Sequence, residues 1–154
     1  MAEKRYWLMK SEPEVFSIDD LQKKKTALWD SVRNYQARNF MMNDMKKGDL
    51  ILFYHSSTEP PGIAGIAKVA GPAEADPTQF DKKSEYYDPK SKKEDPTWKC
   101  VPVEFVEKFS KFVPLEDIRG NKKLATMLVI KRGMRLSIQP VTAAEFETVL
   151  KMAK

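Results

Sequence analysis

Cysteine and histidine are almost missing from this sequence, which has one of each in 154 residues. A disulfide needs two cysteines and a zinc site needs several sulfur or imidazole ligands, so neither can form within this chain. We therefore expect no metal site. Cys100 lies in the apolar stretch KCVPVEF and His55 is the one possible imidazole base. We interpret Cys100 as a small buried side chain rather than a nucleophile.

Long apolar runs and glycine-rich loops are also missing. The run LILFY at 50–54 is far shorter than the roughly 20 residues that span a bilayer, and no charged-then-apolar signal segment opens the chain. Neither a triphosphatase loop nor a dinucleotide-binding glycine motif is present. We therefore expect a cytoplasmic protein with no cofactor and no membrane partner.

Adjacent carboxylates offer the simplest route to acid–base catalysis in such a chain. Two such pairs, Asp19 with Asp20 and Glu116 with Asp117, fall where helices are expected to begin. Carboxylates stabilise the helix dipole there. Catalysis is the weaker hypothesis, and we predict that the protein is not an enzyme.

The composition favours one folded domain over residues 1–154. The chain is 42% hydrophobic and 32% charged, which suits a core with a well-solvated surface. Two separate halves would each bury too little apolar surface. We expect a monomer.

Strands and short helices are predicted to alternate along the chain. Strand patterns cover 5–10, 50–56, 63–71, 98–109 and 135–141, and the second and third of these suggest a hairpin. Ser17 with Asp20 and Thr142 with Glu145 have the spacing of helix capping boxes. A further helix is predicted from 35 to 45. The pattern indicates a mixed α+β domain with a curved or barrel-like sheet.

Residues 72–96 differ in composition, being rich in proline, aspartate, lysine and serine. Within 81–96, five lysines balance five acids, which makes a poor grip for phosphate. We predict a long solvated loop or a lid within the domain, because long loops in compact domains are often functional.

Positive charge is concentrated near the C-terminus. Residues 119–135 carry six cations and no acid, whereas the net charge of the whole chain is +5, so the remainder sums to −1. Such concentration fits a face that meets a polyanion. The alternative, equally open, is a solvated loop whose acids lie nearby in space. The six cations are Arg119, Lys122, Lys123, Lys131, Arg132 and Arg135.

The stretch ALWDSVRNYQARNFM at 27–41 combines a flat ring, an amide and a guanidinium. An unpaired base can stack on Trp29, present its edge to Asn34 and place a phosphate near Arg38. The alternative is structural: Trp29 packs in the core, Asn34 caps the next helix and Arg38 faces solvent. From composition alone the structural interpretation is favoured.

A resemblance changes this balance. The chain is similar, over nearly all of its length, to the EVE domain, a PUA-like family akin to the YTH readers of methylated adenine. This implies a PUA-like β-barrel with flanking short helices and a pocket for one extruded, modified base of RNA or DNA. The motifs that carry the resemblance are YWLMKSEP, WDSVRNYQARN, GDLILFYHS, GIAGIAKV, YYDPKS, DPTW and RLSIQPV.

The resemblance also implies site residues. Trp29 would be the stacking wall, with Ser11 and Asn34 at the base edge and Val32 as an apolar contact. His55 and Ser56 would form the polar rim. Arg135 and Ser137 match the late basic strand of the family and would hold the backbone of the nucleic acid. Apart from the resemblance, Arg38 and the basic residues Lys131 and Arg132 are further candidates for backbone contacts.

Each assignment has a structural alternative, and for His55 and Trp98 the sequence favours neither. His55 can satisfy a strand-end carbonyl, Ser11 can start a turn and Arg135 can pair with an acid. The stretch WKCVPV departs from the family pattern at Lys99 and Pro102, so we predict an edge strand or a bulge at Pro102. Two rival functions remain open: an enzyme on a nucleobase or nucleotide that uses Asp30 or His55, and a protein-interaction module.

Overall fold

The computed structural model describes residues 5–131 and 136–154. Its strands are β1 (Tyr6–Ser11), β2 (Thr26–Leu28), β3 (Leu50–His55), β4 (Gly62–Val69), β5 (Glu74–Ala75), β6 (Lys99–Cys100), β7 (Pro102–Pro114) and β8 (Ile138–Val141). Its α-helices are α1 (Ile18–Lys24), α2 (Tyr35–Asn39), α3 (Leu115–Arg119) and α4 (Ala143–Met152). A π-helix at Phe40–Asp44 continues α2, and 3₁₀ turns lie at Pro77–Phe80, Lys122–Leu124 and Leu128–Ile130.

Six of these strands form one mixed sheet in the order β2-β7-β4-β3-β1-β8. β1 runs parallel to β3, and the other neighbours are antiparallel. Register shifts interrupt the ladders on both sides of β4, and such bulges bend and twist a sheet. β2 and β8 are edges in the described chain, which makes the sheet a half-barrel. The predicted α+β class with a PUA-like curved sheet is confirmed.

Helix ends and the hairpin follow the sequence prediction closely. Both capping boxes form, at Ser17 before α1 and at Thr142 before α4. β3 and β4 pair as the expected hairpin. Gly65 allows the close approach of backbones in this region, because a Cβ placed there would lie 2.3 Å from the carbonyl oxygen of Glu107.

The sheet separates two apolar cores, because side chains alternate between its faces. Trp7 and Phe53 belong to the first core, which α1 and α2 cover, whereas Leu8 and Leu52 belong to the second, covered by α3 and α4. Successive side chains of β1 and β3 therefore point alternately into the first and the second core. This alternation decides which side chains meet where the two strands end.

The strand predicted over 98–109 needs correction. It divides at Val101 into β6 and β7, and β7 is an interior strand between β2 and β4. The prediction of an edge or a bulge at Pro102 was wrong. Proline is tolerated because it is the first residue of β7, where its carbonyl still accepts a hydrogen bond of 2.8 Å from the Ala70 amide.

The stretch from 72 to 96 is more ordered at its start than we predicted. β5 pairs with β6, and the 3₁₀ turn Pro77–Phe80 carries the fully buried Gln79 next to the fully buried Asp76. Residues 81–96 are mainly exposed, as a solvated loop requires. The prediction of a solvated loop therefore fits residues 81–96 only, because the buried polar side chains of Asp76 and Gln79 hold the start of the stretch in place.

Candidate nucleic-acid interface

The parallel strands β1 and β3 end side by side at Ser11 and His55, which are register partners. The Ser56 amide donates to the Ser11 carbonyl oxygen at 2.9 Å. The Ser11 hydroxyl donates to the carbonyl oxygen of Phe16 at 2.6 Å, which positions the turn before α1. Three of the predicted pocket residues therefore meet at one edge of the sheet.

His55 has a defined role in this cluster. Its Nε2 accepts a 3.1 Å hydrogen bond from the Ile18 amide at the start of α1. Since Nε2 is an acceptor, neutral His55 carries its proton on Nδ1. Burial lowers the pKa of His55, with a smaller contribution from Lys108 in the same direction, while Asp19 opposes the shift. The imidazole is thus held neutral and retains Nδ1–H as a donor.

Phe53 connects Trp29 to these strand ends. Its ring makes edge-on contacts with Trp29 at 5.4 Å and with His55 at 5.7 Å between centroids. Val32 is half-buried and packs against the same core. The structure therefore brings Ser11, His55 and Ser56 together at the strand ends. Trp29 contacts the same Phe53 ring as His55, and Val32 packs against the core to which that ring belongs.

Trp29 itself is part of the first core and is only 8% exposed. Its amide donates to the Val101 carbonyl oxygen at 2.9 Å, which fixes the backbone next to β6 and β7. Trp29 therefore packs in the core, as the structural alternative for this residue proposed. A ligand can meet Trp29 only through the small part of the residue that remains exposed.

Asn34 also has the structural role considered as its alternative. It is the N-cap of α2, and its Oδ1 accepts a 2.9 Å hydrogen bond from the Ala37 amide. Capping uses the amide oxygen and leaves the Nδ2 hydrogens as donors. Asn34 is exposed, so those donors are on the protein surface.

Arg38 is engaged with the protein in a way that sequence did not indicate. Its guanidinium donates to the Thr97 carbonyl oxygen at 2.9 Å and to Asn39 Oδ1, and lies 4.9 Å from the ring centre of Tyr35. Tyr35 stacks on Trp98 with centroids 4.9 Å apart. Trp98, for which the sequence favoured no role, is therefore a packing residue that connects α2 to the end of the long loop.

An ion pair between Arg33 and the buried carboxylate of Asp76 also joins the segment before α2 to the long loop. Arg33 Nη1 lies 3.1 Å from Asp76 Oδ2, and the Asp76 side chain is fully buried. Asp76 also accepts from the amides of Ser31, at 2.6 Å, and Thr78, at 2.8 Å. The Arg33 guanidinium lies 5.1 Å from the ring centre of Trp98. Sequence reasoning missed this cluster, although the quoted motifs WDSVRN and DPTW contain Arg33 and Trp98.

Gln79 completes the connection between the long loop and β6. Its Nε2 donates to the carbonyl oxygens of Asp76 and Trp98, and its Oε1 accepts from the Trp98 amide at 3.0 Å. The Trp98 indole donates to Asp88 at 2.8 Å. The loop is therefore fixed to the same framework that carries Trp29.

The predicted backbone-binding group lies partly within the described chain. Lys131 is exposed after the 3₁₀ turn Leu128–Ile130, and the Ser137 carbonyl oxygen accepts from the Lys10 amide at 2.8 Å. Arg132 and Arg135 lie outside the described residues. The four ion pairs found among the described residues do not involve the cations at 119, 122, 123 and 131. They therefore give no support to the alternative that acids nearby in space balance the basic segment 119–135.

The remaining reactive side chains are Asp30 and Cys100. Burial raises the pKa of Asp30, and nearby Asp76 acts in the same direction against the Ser31 hydrogen bond. Cys100 is fully buried, as the sequence predicts, and burial raises the pKa of its thiol to about 12.

Within 5–131 and 136–154, no group of three or more potential metal ligands converges. No helix in those ranges has the length and apolar character to cross a membrane.

Comparisons with known proteins agree with this architecture. The EVE domain family model matches residues 5–152. Human thymocyte nuclear protein 1 is 45% identical over 166 residues, which cover 96% of this chain and 73% of that protein. A Pseudomonas syringae protein of solved structure is 44% identical, with a TM-score of 0.92 and coverage of 97% and 99% of the two chains.

The crystal structure of human THYN1 in complex with DNA containing 5-methylcytosine is also similar. It has a TM-score of 0.90 and 44% sequence identity, with 98% of each chain covered. The match thus extends through both cores and the long loop. This chain belongs to the EVE domain family.

Proposed function

We propose that this protein binds a methylated base of a nucleic acid, rotated out of its strand, and releases it chemically unchanged. The observation that carries the proposal is that the Phe53 ring contacts both Trp29 and His55, and that His55 pairs with Ser11 where β1 and β3 end. The THYN1 structure with 5-methylcytosine DNA supports 5-methylcytosine as the first base to test.

The cluster combines the two properties that such a base requires. Trp29, Val32 and Phe53 supply an apolar wall, and stacking of a base on an aromatic side chain contributes roughly 1 to 3 kcal/mol. His55 Nδ1–H and the Asn34 amide hydrogens are donors for the base edge. A buried methyl group adds roughly 0.8 kcal/mol, about fourfold in affinity. We therefore expect discrimination by several-fold rather than complete exclusion of the unmodified base.

Binding without turnover agrees with the state of the candidate catalytic groups. The acceptor nitrogen of His55 is occupied by the Ile18 amide, and the Cys100 thiol is buried. Asp30, the third candidate, follows Trp29 in the chain, and its carboxyl group accepts a 3.0 Å hydrogen bond from the Ser31 hydroxyl. The proposal covers RNA as well as DNA, and takes the protein as a cytoplasmic monomer in which one domain over residues 1–154 carries the whole site.

The test is a binding titration of the wild-type protein against short single strands of DNA and RNA. The strands carry cytosine, 5-methylcytosine, adenine or N6-methyladenine at one position, and each is measured at two salt concentrations. Preference for one methylated base that persists at high salt is expected. Binding that is equal for all bases and fades with salt would contradict the proposal, because only a basic surface would remain.

Mass spectrometry of the strands after prolonged incubation separates a reader from an enzyme. Unchanged bases are expected. A modified product that is lost with His55→Ala or Asp30→Asn would instead establish the enzymatic rival.

A further inference from the structure

Aromatic rings and arginines form a row beside the candidate base site. The Tyr35 ring stacks on Trp98, with centroids 4.9 Å apart and an angle of 26° between the ring planes. The guanidinium of Arg33 lies 5.1 Å from the ring centre of Trp98 and 5.6 Å from that of Tyr86. The guanidinium of Arg38 lies 4.9 Å from the ring centre of Tyr35. We call these five side chains the aromatic row.

The inner members of the aromatic row are held firmly by the protein. Besides its ion pair with Asp76, Arg33 donates to Thr78 Oγ1 at 2.9 Å and to the Tyr86 carbonyl oxygen at 2.6 Å. Trp98 is only 6% exposed, and both its amide and its indole N–H donate hydrogen bonds. A ring that stacks on Trp98 therefore has a fixed support, which reduces the entropy lost when a ligand is ordered against it.

Tyr35 is the outer ring of the row and is 60% exposed, more than any other aromatic side chain in the described ranges. It is the first residue of α2 and belongs to neither of the two apolar cores. Packing of the fold therefore does not explain why an aromatic ring stands at this position. An exposed ring with a fixed support is a surface on which a second planar group can stack, and every nucleic-acid base is such a group.

The aromatic row and the candidate base site are held by the same atom. Asp76 Oδ2 accepts hydrogen bonds from the Arg33 guanidinium at 3.1 Å and from the Ser31 amide at 2.6 Å. Ser31 follows Trp29 by two residues. The position of the row relative to Trp29 is therefore fixed by a buried carboxylate.

The row also continues the surface that carries the donors for the base edge. Asn34, whose Nδ2 hydrogens are those donors, directly precedes Tyr35 in the chain. Arg38 brings a positive charge beside the Tyr35 ring, and none of the four ion pairs in the described ranges involves it. A nucleotide has both groups that this surface suits, a planar base for Tyr35 and a phosphate for Arg38.

We propose that Tyr35, supported by Trp98, is a second stacking site, which takes the base next to the extruded one in a single strand. This inference rests on the proposed function. It gives the two sites separate tasks. The Trp29 site selects the methylated base, and the Tyr35 site adds affinity for whichever base is its neighbour, because every base has a π face.

The test compares Tyr35→Ala with Tyr35→Phe and with Tyr87→Ala as a matched control. Phenylalanine keeps the flat ring, and Tyr87 is an exposed tyrosine outside the aromatic row. Tyr35→Ala should weaken binding of a single strand that carries 5-methylcytosine roughly 10-fold, while the ratio of affinities for methylated and unmethylated strands stays near the wild-type value. Tyr35→Phe and Tyr87→Ala should bind as the wild type does. No loss in Tyr35→Ala, or an equal loss in Tyr87→Ala, would overturn the inference.

An abasic nucleotide, which keeps the phosphate and removes the base, locates the contact. Placed at one position after another, it should weaken wild-type binding roughly 10-fold at a position next to the 5-methylcytosine. The same strand should show little further loss with Tyr35→Ala, because the stacking partner is already missing and the two effects are coupled. A full further loss in that variant would mean that the neighbouring base binds elsewhere, and the inference would be wrong.

The fluorescent base 2-aminopurine at that neighbouring position reports stacking directly, because stacking on an aromatic ring quenches its emission. Saturation with the wild-type protein should quench it, and saturation with Tyr35→Ala should not. Quenching that persists in Tyr35→Ala would contradict a stacking site at this residue. Circular dichroism and thermal unfolding confirm that each variant is folded.

The two proposals fail separately. If a methylated base is preferred while Tyr35→Ala binds as tightly as the wild type, the second stacking site is wrong and the reader function stands. If 2-aminopurine is quenched by the wild type and not by Tyr35→Ala, but no base is preferred, the stacking site stands and the reader function is wrong.

Discussion

The Ser31 amide donates a 2.6 Å hydrogen bond to the carboxylate of Asp76, 45 residues further along the chain. Ser31 has a φ of 69°, in the left-handed region that residues other than glycine seldom adopt. Such a conformation persists where surrounding contacts hold it. Ser31 lies two residues after Trp29, and the carboxylate of Asp76 supplies the contact that holds it. The long loop therefore determines the backbone path of the candidate base site.

Asp76→Asn should be strongly destabilising. The substitution keeps the shape but removes the charge that balances Arg33, and it directs amide hydrogens at groups that are themselves donors. Leaving a buried charge without its partner costs about 3–5 kcal/mol in the free energy of unfolding. Urea unfolding followed by tryptophan fluorescence measures this loss.

The control for Asp76 is Asp95→Asn, an exposed position in the same loop. It should change the free energy of unfolding by less than about 0.5 kcal/mol. A loss below about 1 kcal/mol for Asp76→Asn would mean that the ion pair with Arg33 does not hold the loop.

Trp29→Ala should abolish base preference while residual, salt-sensitive binding persists. The stacking wall is lost, but the cations that meet phosphate remain. Because Trp29 is buried, the variant should also lose about 3–5 kcal/mol of stability. Fluorescence anisotropy with paired methylated and unmethylated strands measures the preference.

Trp29→Phe controls for this stability loss, since it keeps a flat ring in a smaller volume. It should retain part of the preference and more of the stability than alanine. Full preference in a folded Trp29→Ala protein would place the base pocket elsewhere.

Stability should decrease as the pH falls below about 6.5, the ordinary pKa of histidine. The folded-state pKa of His55 is lowered by burial, so the unfolded chain takes up a proton first as the pH falls, and this uptake lowers the free energy of the unfolded chain relative to the folded one. Above the ordinary pKa, His55 is neutral in both the folded and the unfolded chain, so it makes no contribution to the change of stability with pH. The loss accumulates down to the folded pKa and is constant below it. His55 is the single histidine, so imidazole signals in NMR spectra follow this titration directly.

His55→Gln supplies the comparison for the pH experiment. Glutamine has an oxygen that can accept from the Ile18 amide but has no titration in this range. The difference in stability between wild type and His55→Gln should change between pH 7 and 5. A constant difference would contradict a lowered pKa for His55.

The Cys100 thiol should resist alkylation in the folded protein at pH 8. It is fully buried and its pKa is about 12, so almost no thiolate is present and reagents cannot reach it. Mass spectrometry after iodoacetamide treatment, with and without urea, measures the modified fraction. Rapid modification without urea would contradict the burial of β6.

Local sequence was sufficient for much of this fold. The two capping boxes, the β3–β4 hairpin and the alternating strands depend on residues within a few positions of each other, so their patterns are readable without the tertiary structure. The site predictions were of a different kind. Family resemblance named Ser11, His55 and Trp29 as one group, and no local pattern places them together.

The capping boxes, the β3–β4 hairpin, the lack of a second cysteine and the concentration of basic residues can all be read from the amino-acid sequence. Contacts between distant residues depend on the folded chain: Ser31 meets Asp76, Trp29 meets Phe53, and Lys10 pairs with Tyr54. The reason is the strand order, because the parallel pairing of β1 with β3 joins segments that are more than 40 residues apart. Such a pairing depends on burial of both faces of the sheet by the whole chain, and no short window of sequence contains that information.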